Sequence, residues 1–376
     1  MHALILAGGE GTRLRPLTLT MPKPAMQLVD RPFLRFTIDW LASHDVDGLV
    51  VASGFGADEL RAALGTGDSG GPSITYITEE EPLGTAGPVR LAADEGILGE
   101  RFLVLNGDVL ADLDLGELVR AHEASGAVAT LALHPADDPT AYGLVRRAGG
   151  PERRGATPDA PTGEVLEFLE KPDPDAIDTD EISAGAYIME RRVVDLIPPG
   201  RNVSIEREVF PRLVGRGLYG HVLRGYWVDI GTPERYLQAS WDILEGRVRT
   251  AAGARLDQAG LLVEADGEVD PAATIQPPAL VEADVEAAAD ASIGPRAVIA
   301  RGSQLAAGAV ISSSVVLPGA RIGAGARVNE SILAPGVRIG AGARVGPGAV
   351  LGEDSEIAPG AEVEAGARVP PGEYLA

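Results

Sequence analysis

Between Val263 and Val369 an aliphatic or alanine residue returns about every sixth position, with small residues filling most of the intervals. Val263, Val269, Ile275, Val281, Ala287, Ile293, Ile299, Leu305, Ile311 and Leu317 share one phase. The phase then slips by one residue to Ile322 and Val328, and slips again to Leu333, Ile339, Val345, Leu351, Ile357, Val363 and Val369. An amphipathic helix needs a period of 3.6 and a half-buried strand a period of two, so neither fits. A period of six predicts a parallel β-helix, in which each short strand turns one aliphatic residue inward and the coils stack into a continuous column.

Up to about Gly246 the pattern is different. The runs "ALILAG", "GLVVAS", "SITYIT", "RFLVLNGD" and "AVATLAL" read as strands. Helical patterns lie between them, from Pro32 to Ser43 with Asp30 and Pro32 as start signals, and from Ala57 to Leu64 with Gly65 as the stop. This alternation predicts an α/β domain with a mostly parallel sheet covered on both faces, and ligands beyond the carboxyl ends of the strands. The division expected is a catalytic domain over 1–246, a linker over 247–261 and the β-helix over 262–376. Gly149 to Gly163 lacks apolar periodicity and reads as a mobile loop between strands.

At 376 residues the chain is long enough for two cores. Its net charge of −23 argues against nucleic-acid and membrane partners. Anionic small substrates can bind only where local basic residues or a metal reverse the field. With no cysteine, disulfides, thiolate catalysis and Cys-type zinc sites are excluded. The apolar start Leu4–Ala7 is too short for a signal peptide, and no run approaches membrane-spanning length, so a cytoplasmic location is expected.

The segment "LAGGEGTRLRPLT", Leu6 to Thr18, follows a buried strand and is itself followed by "MPKPA". Leu6, Ala7, Gly8, Gly9, Gly11 and Thr12 can turn successive N–H groups towards an anion. Arg13 adds a forked cation and Lys23 a compact one. No Gly-Lys-Ser/Thr follows and the glycine spacing is not that of a dinucleotide fingerprint, so neither of those loops is present. Lys23 and Lys171 are the only lysines among 32 basic residues, and both are read as phosphate ligands. Asp108 in "VLNGDV" and Asp229 in "YWVDIG" each follow a predicted strand. A lone Asp there is usually a turn or cap residue. Beside a phosphate loop, the pair suits Mg²⁺, which takes one or two carboxylates with phosphate and water oxygens.

These segments, with "EEEPLGTAGPV", "FLEKP", "SAGAY", "SIEREVFP" and "WVDIGTP", resemble the sugar-1-phosphate nucleotidyltransferase family, most closely its mannose-1-phosphate guanylyltransferase branch. The resemblance spans essentially the whole chain. It implies a Rossmann-like domain followed by a left-handed β-helix. It implies that Gly8 to Arg13 wrap the triphosphate, that Lys23 touches the reacting phosphates, and that Glu79, Gly84 and Thr85 lie beside the base. Asp108 and Asp229 would hold Mg²⁺, while Gly143, Glu170, Lys171 and Ser183 would line the sugar phosphate site. A carboxylate such as Glu79 can accept both donors on one edge of guanine, which favours GTP, although Glu80 and Glu81 stand adjacent. The branch usually has Asn-Ala-Gly where this chain has Ser183-Ala184-Gly185, which leaves glucose or a manno-heptose open as the sugar. A thymidylyl- or uridylyltransferase is the alternative within the family. A non-catalytic subunit is a second alternative, which the complete motifs oppose. Acyl transfer is disfavoured because all five histidines precede the repeats. Aliphatic repeat faces and open coil ends imply a homo-oligomer through the β-helix.

Overall fold

A computed structural model of the chain describes residues 1–44, 46–67, 72–264 and 268–376. The elements open with β1 (His2–Leu6), β2 (Gln27–Leu28), β3 (Arg31–Pro32), α1 (Phe33–Ala42), β4 (Gly48–Ser53), α2 (Ala57–Leu64) and β5 (Ser73–Thr78). They continue with α3 (Gly87–Asp94), β6 (Arg101–Asn106), β7 (Val109–Asp112), α4 (Leu115–Ser125), β8 (Ala129–Pro135), β9 (Gly143–Arg147) and β10 (Thr162–Glu170). After β11 (Glu181–Glu190) come α5 (Phe210–Leu213), β12 (Leu218–Val222), β13 (Tyr226–Asp229) and α6 (Pro233–Leu244). Two compact units result: residues 1–9 with 37–227, and residues 10–36 with 228–376.

The first unit is built on a nine-stranded sheet in the order β5-β4-β1-β6-β11-β8-β12-β10-β9. Strands β5, β4, β1 and β6 are parallel, as the strand–helix alternation requires. Beyond β6 the sheet is mixed, because β9, β10 and β11 succeed one another through loops without a crossover helix and pair antiparallel. Helices cover both faces. Ala129, Leu131 and Leu133 of β8 join Leu4, Val104 and Phe210 in one buried cluster. Thr130, which alternation turns to the other face, meets His122 Nδ1 of α4 at 2.8 Å. Strand order reverses beside β1, so the loop after β1 and the turn after β6 flank the crevice where such sheets bind ligands.

The loop expected over 149–163 lies between β9 and β10 but ends earlier, because Thr162 and Gly163 already pair with His221 and Gly220 as the first residues of β10, and the N–H groups of Asp159 and Ala160 donate to the Gly149 carbonyl at 3.0 and 3.2 Å. Helix α2 ends at Leu64 before Gly65, also as expected. Helix α1 departs from expectation. Asp30 does not cap it but binds Arg31 and Arg255 at 2.8 and 2.9 Å, and Pro32 belongs to β3.

In the second unit the repeat forms three walls of parallel two- and three-residue strands, the left-handed β-helix implied by the resemblance. The inward column is the predicted one with a single correction. Ile299 pairs with Val316, and Val316 with Leu333, so Val316 rather than Leu317 takes the inward position. The first slip in phase therefore falls between Ile311 and Val316. Both five-residue steps turn the same corner in successive coils, where Ser312 donates to Asn329 Oδ1 (2.8 Å) and Ser331 N–H to Ser314 Oγ (3.1 Å). On the outside of the first wall Leu280, Val298, Val315, Ile332 and Val350 are fully buried. Each contributes roughly 1.5–3 kcal/mol. Helix α6 runs beside them, marked at one end by Glu234 to Arg368 (3.4 Å) and at the other by Trp241 under Arg296 (5.5 Å).

Candidate active site

In the first unit the loop after β1 and the turn after β6 are pressed together. A Cβ on Gly107 would lie 2.7 Å from the Leu6 carbonyl and 3.3 Å from Ala7 Cα, so only glycine lets the Asp108 turn lie against Leu6 and Ala7. Glu79 Oε1 stands 2.9 Å from where a Cβ on Gly8 would be, while its Oε2 accepts the Leu83 N–H at 2.9 Å. Burial raises the Glu79 carboxyl above the usual range. Gly9 faces open space.

Gly84 and Thr85 are tied to the segment 202–206. Gly84 has φ +71°, and a Cβ there would meet the Val203 carbonyl at 2.4 Å. Val203 N–H donates to the Leu83 carbonyl and Ala86 N–H to that of Val203, both at 2.9 Å. The Thr85 hydroxyl donates to Glu206 Oε2 (2.7 Å) and accepts the Ile205 N–H (2.8 Å). The segments "PLGTAG" and "SIEREVFP" thus form one interlocked structure.

Gly143 of β9 faces Glu170 of β10, and Lys171 continues with φ +50°, donating its N–H to the Tyr142 carbonyl at 3.1 Å. Its side chain is exposed, with Nζ 4.0 Å from Glu170 Oε1. Glu170 is raised by burial first and by the charge of Glu206 second. Ser183 opposes Leu133 at the start of a bulge in β11, after which Gly185 packs on Asn106. Tyr187, fully buried, donates its hydroxyl to Asn106 Oδ1 at 2.8 Å. Burial, then the charges of Glu206, Asp108 and Glu170, hold that phenol well above its ordinary range.

The second unit gathers the cations. Asp229, buried at the end of β13, has Lys23 Nζ at 3.7 Å, Arg13 Nη2 at 3.8 Å and Arg235 Nη1 at 3.3 Å. Gly11 opens the turn holding Thr12 and Arg13, and its carbonyl accepts the Thr18 hydroxyl at 2.9 Å. Three cations thus stand around one buried carboxylate in a chain of net −23.

Sequence reasoning missed several of these residues. Arg235 lies just beyond the quoted "WVDIGTP", held at the start of α6 where Thr232 Oγ1 caps its N–H. Glu206 lies inside a quoted segment but received no role. Trp227 stacks on His134 (5.6 Å), meets Tyr142 edge-on (5.1 Å), and donates its indole N–H to the Ala184 carbonyl (2.9 Å). Nothing in the spacing of these three aromatic rings along the chain announces their meeting.

A glycine-rich loop after β1, a buried carboxylate among cations and a β-helix together define a phosphate-handling α/β enzyme. The chain belongs to the nucleotidyl transferase family: that family matches residues 2–246, and the GMPPB C-terminal domain matches residues 275–372. A mannose-1-phosphate guanylyltransferase of Mycobacterium tuberculosis is 38% identical over 280 residues, 73% of each chain. A mannose-1-phosphate guanyltransferase of Candida albicans is 40% identical over 246 residues, 64% of each. A solved structure from Bacillus anthracis, assigned to the glucose-1-phosphate thymidylyltransferases, shares the fold with TM-score 0.55 and 24% identity, over 64% of this chain and 94% of its own.

Proposed function

We propose that the chain transfers a guanylyl group from GTP to mannose 1-phosphate, giving GDP-mannose and pyrophosphate. The observation that carries the reaction is the set of three cations about buried Asp229. The choice of base and sugar rests on the names of the relatives and on Glu79.

A phosphate oxygen of the sugar phosphate attacks the α-phosphorus in line, and the bond from that phosphorus to the bridging oxygen breaks with its electrons leaving on pyrophosphate. The nucleophile is already ionised, so no general base is needed. Catalysis then consists of positioning two anions and stabilising the charge that develops. Lys23 neutralises the α-phosphate, Arg13 and Arg235 steady the departing pyrophosphate, and Lys171 anchors the sugar phosphate. Gly8, Gly9, Gly11 and Thr12 offer backbone N–H groups to the triphosphate. Gly84 and Thr85 shape the base pocket around Glu79, and Gly143, Glu170 and Ser183 border the sugar phosphate.

Asp108 and Asp229 offer hard carboxylate oxygens, the donor type Mg²⁺ prefers. When bound, Mg²⁺ supplies charge neutralisation on the phosphates. The cations about Asp229 disfavour a lone divalent ion, so that carboxylate is expected to take one only with the triphosphate's negative charge present.

We read residues 1–246 as the catalytic domain, 247–261 as the linker and 262–376 as an element of homo-oligomeric assembly, in a cytoplasmic protein. No helix among the described residues is long and apolar enough to cross a membrane.

Pyrophosphate release, measured for GTP, dTTP, UTP and ATP against mannose 1-phosphate and glucose 1-phosphate with and without Mg²⁺, tests the reading. Preference for GTP with mannose 1-phosphate is expected. Preference for dTTP or UTP with glucose 1-phosphate would keep the mechanism and overturn the specificity. Silence throughout would overturn both for these substrates.

A further inference from the structure

The second wall of the β-helix, from the strand Glu268–Val269 to the strand Tyr374–Leu375, carries an ordered charge pattern on its outer face. The parallel register stacks Glu268, Glu286, Gln304, Arg321, Arg338 and Glu356 in one column, coil upon coil, and all six are exposed. Two positions along each coil a second column runs Asp270, Ala288, Ala306, Gly323 and Gly340. Between them the columns line a shallow recess of about 810 Å³. Gln304 Nε2 donates to Glu286 at 3.2 Å, whereas Glu268, Arg321, Arg338 and Glu356 have no ion pair among the described residues.

We propose that this wall is the face through which two copies of the chain pair with their coils antiparallel. The inference deepens the assembly role given to the β-helix above and rests on it. A half-turn about an axis parallel to the strands and through Gln304 brings the wall onto its own copy. It reverses the order of the coils but keeps the strand direction, so each column faces itself. Gln304 then meets Gln304 of the second copy, Glu286 meets Arg321, and Glu268 meets Arg338, each opposite-charge pair occurring twice. Both copies share the same coil spacing of about 4.8 Å, so the pairs stay in step.

Other registers are worse. Moving the axis half a coil towards the C-terminus sets Glu268 against Glu356. Moving it a whole coil sets Arg321 against itself and Glu286 against Glu356. In the favoured register the second column matches Ala306 with itself, Ala288 with Gly323 and Asp270 with Gly340, small enough for the faces to close. Five overlapping coils form a patch well below the roughly 800 Å² per partner of stable complexes. The pair is therefore weak and salt-sensitive.

Sedimentation velocity of the full chain over a concentration series, at low and high ionic strength, tests this. Association at low salt that is lost at high salt is expected. Arg321→Glu with Arg338→Glu, or Glu268→Arg with Glu286→Arg, should weaken it ~10-fold or more. A chain carrying all four exchanges should regain it, because every pair then has its signs swapped. Pyrophosphate release by the same preparations, expected at the wild-type level, shows that each variant is folded. Unchanged association in both double variants would overturn this face and leave assembly through another. Active fourfold variant that stays dissociated would overturn the register. A wild-type chain that remains single at every concentration would remove the assembly role as well.

Discussion

Lys23 Nζ stands 3.7 Å from Asp229 Oδ1, with only 6% and 7% of the two residues exposed. They are brought together from positions 206 residues apart (229 − 23). An ammonium this enclosed has little water to replace a lost phosphate contact. Lys23→Ala should lower kcat/KM by ~100-fold or more, in line with the loss of a preorganised charge. Lys23→Arg should not restore it, because the fork of a guanidinium differs in shape and reach. Arg235→Ala, at a more exposed cation, should cost ~10-fold. Steady-state pyrophosphate release checks all three, and near-normal rates for Lys23→Ala would remove Lys23 from the mechanism.

Glu79 already accepts the Leu83 N–H through Oε2. In Glu79→Gln the amide oxygen can keep that bond, so the fold should hold, but the group can no longer accept two donors from a base edge. Preference for GTP over ATP is expected to fall by ~10-fold or more. Competition assays with mixed triphosphates measure it, and an unaltered ratio would transfer base reading to another group.

Gly84 combines φ +71° with a 2.4 Å approach of any Cβ to the Val203 carbonyl. Gly84→Ala should therefore cost about 1–3 kcal/mol through strain and displacement of the 202–206 segment. Thermal melting reads the loss, and a wild-type midpoint would show that the two segments can part freely.

Burial pushes His122, His134 and His221 below the usual imidazole range. Between the ordinary value of about 6.5 and those lowered values, the unfolded chain binds more protons than the folded one. Stability therefore falls as pH drops through that window. The buried carboxyls of Glu79, Glu170 and Glu181, raised by burial, act in the opposite sense at lower pH. The melting midpoint should decline as pH falls below about 6.5, and a midpoint that rises as pH first drops below that value would contradict the assignment.

The sequence by itself determined the β-helix, because a six-residue period is a local rule that each coil satisfies with its own inward residue. It missed only where the corner shortens, since Val316 and Leu317 are both aliphatic and only the strand pairing with Ile299 distinguishes them. It also singled out the glycine-rich loop, the lysines and the carboxylates as candidates, since their residue types suit anion chemistry whatever their neighbours. Tertiary structure decided which of these meet. Arg235 joins Arg13 and Lys23 only because the start of α6 brings its side chain to Asp229. Gly84 and Thr85 owe their contacts to the segment 202–206, and Trp227 reaches His134 and Tyr142 from separate parts of the chain. Periodicity and residue type are properties of neighbours along the chain, whereas these contacts depend on packing between distant segments, which no local pattern encodes.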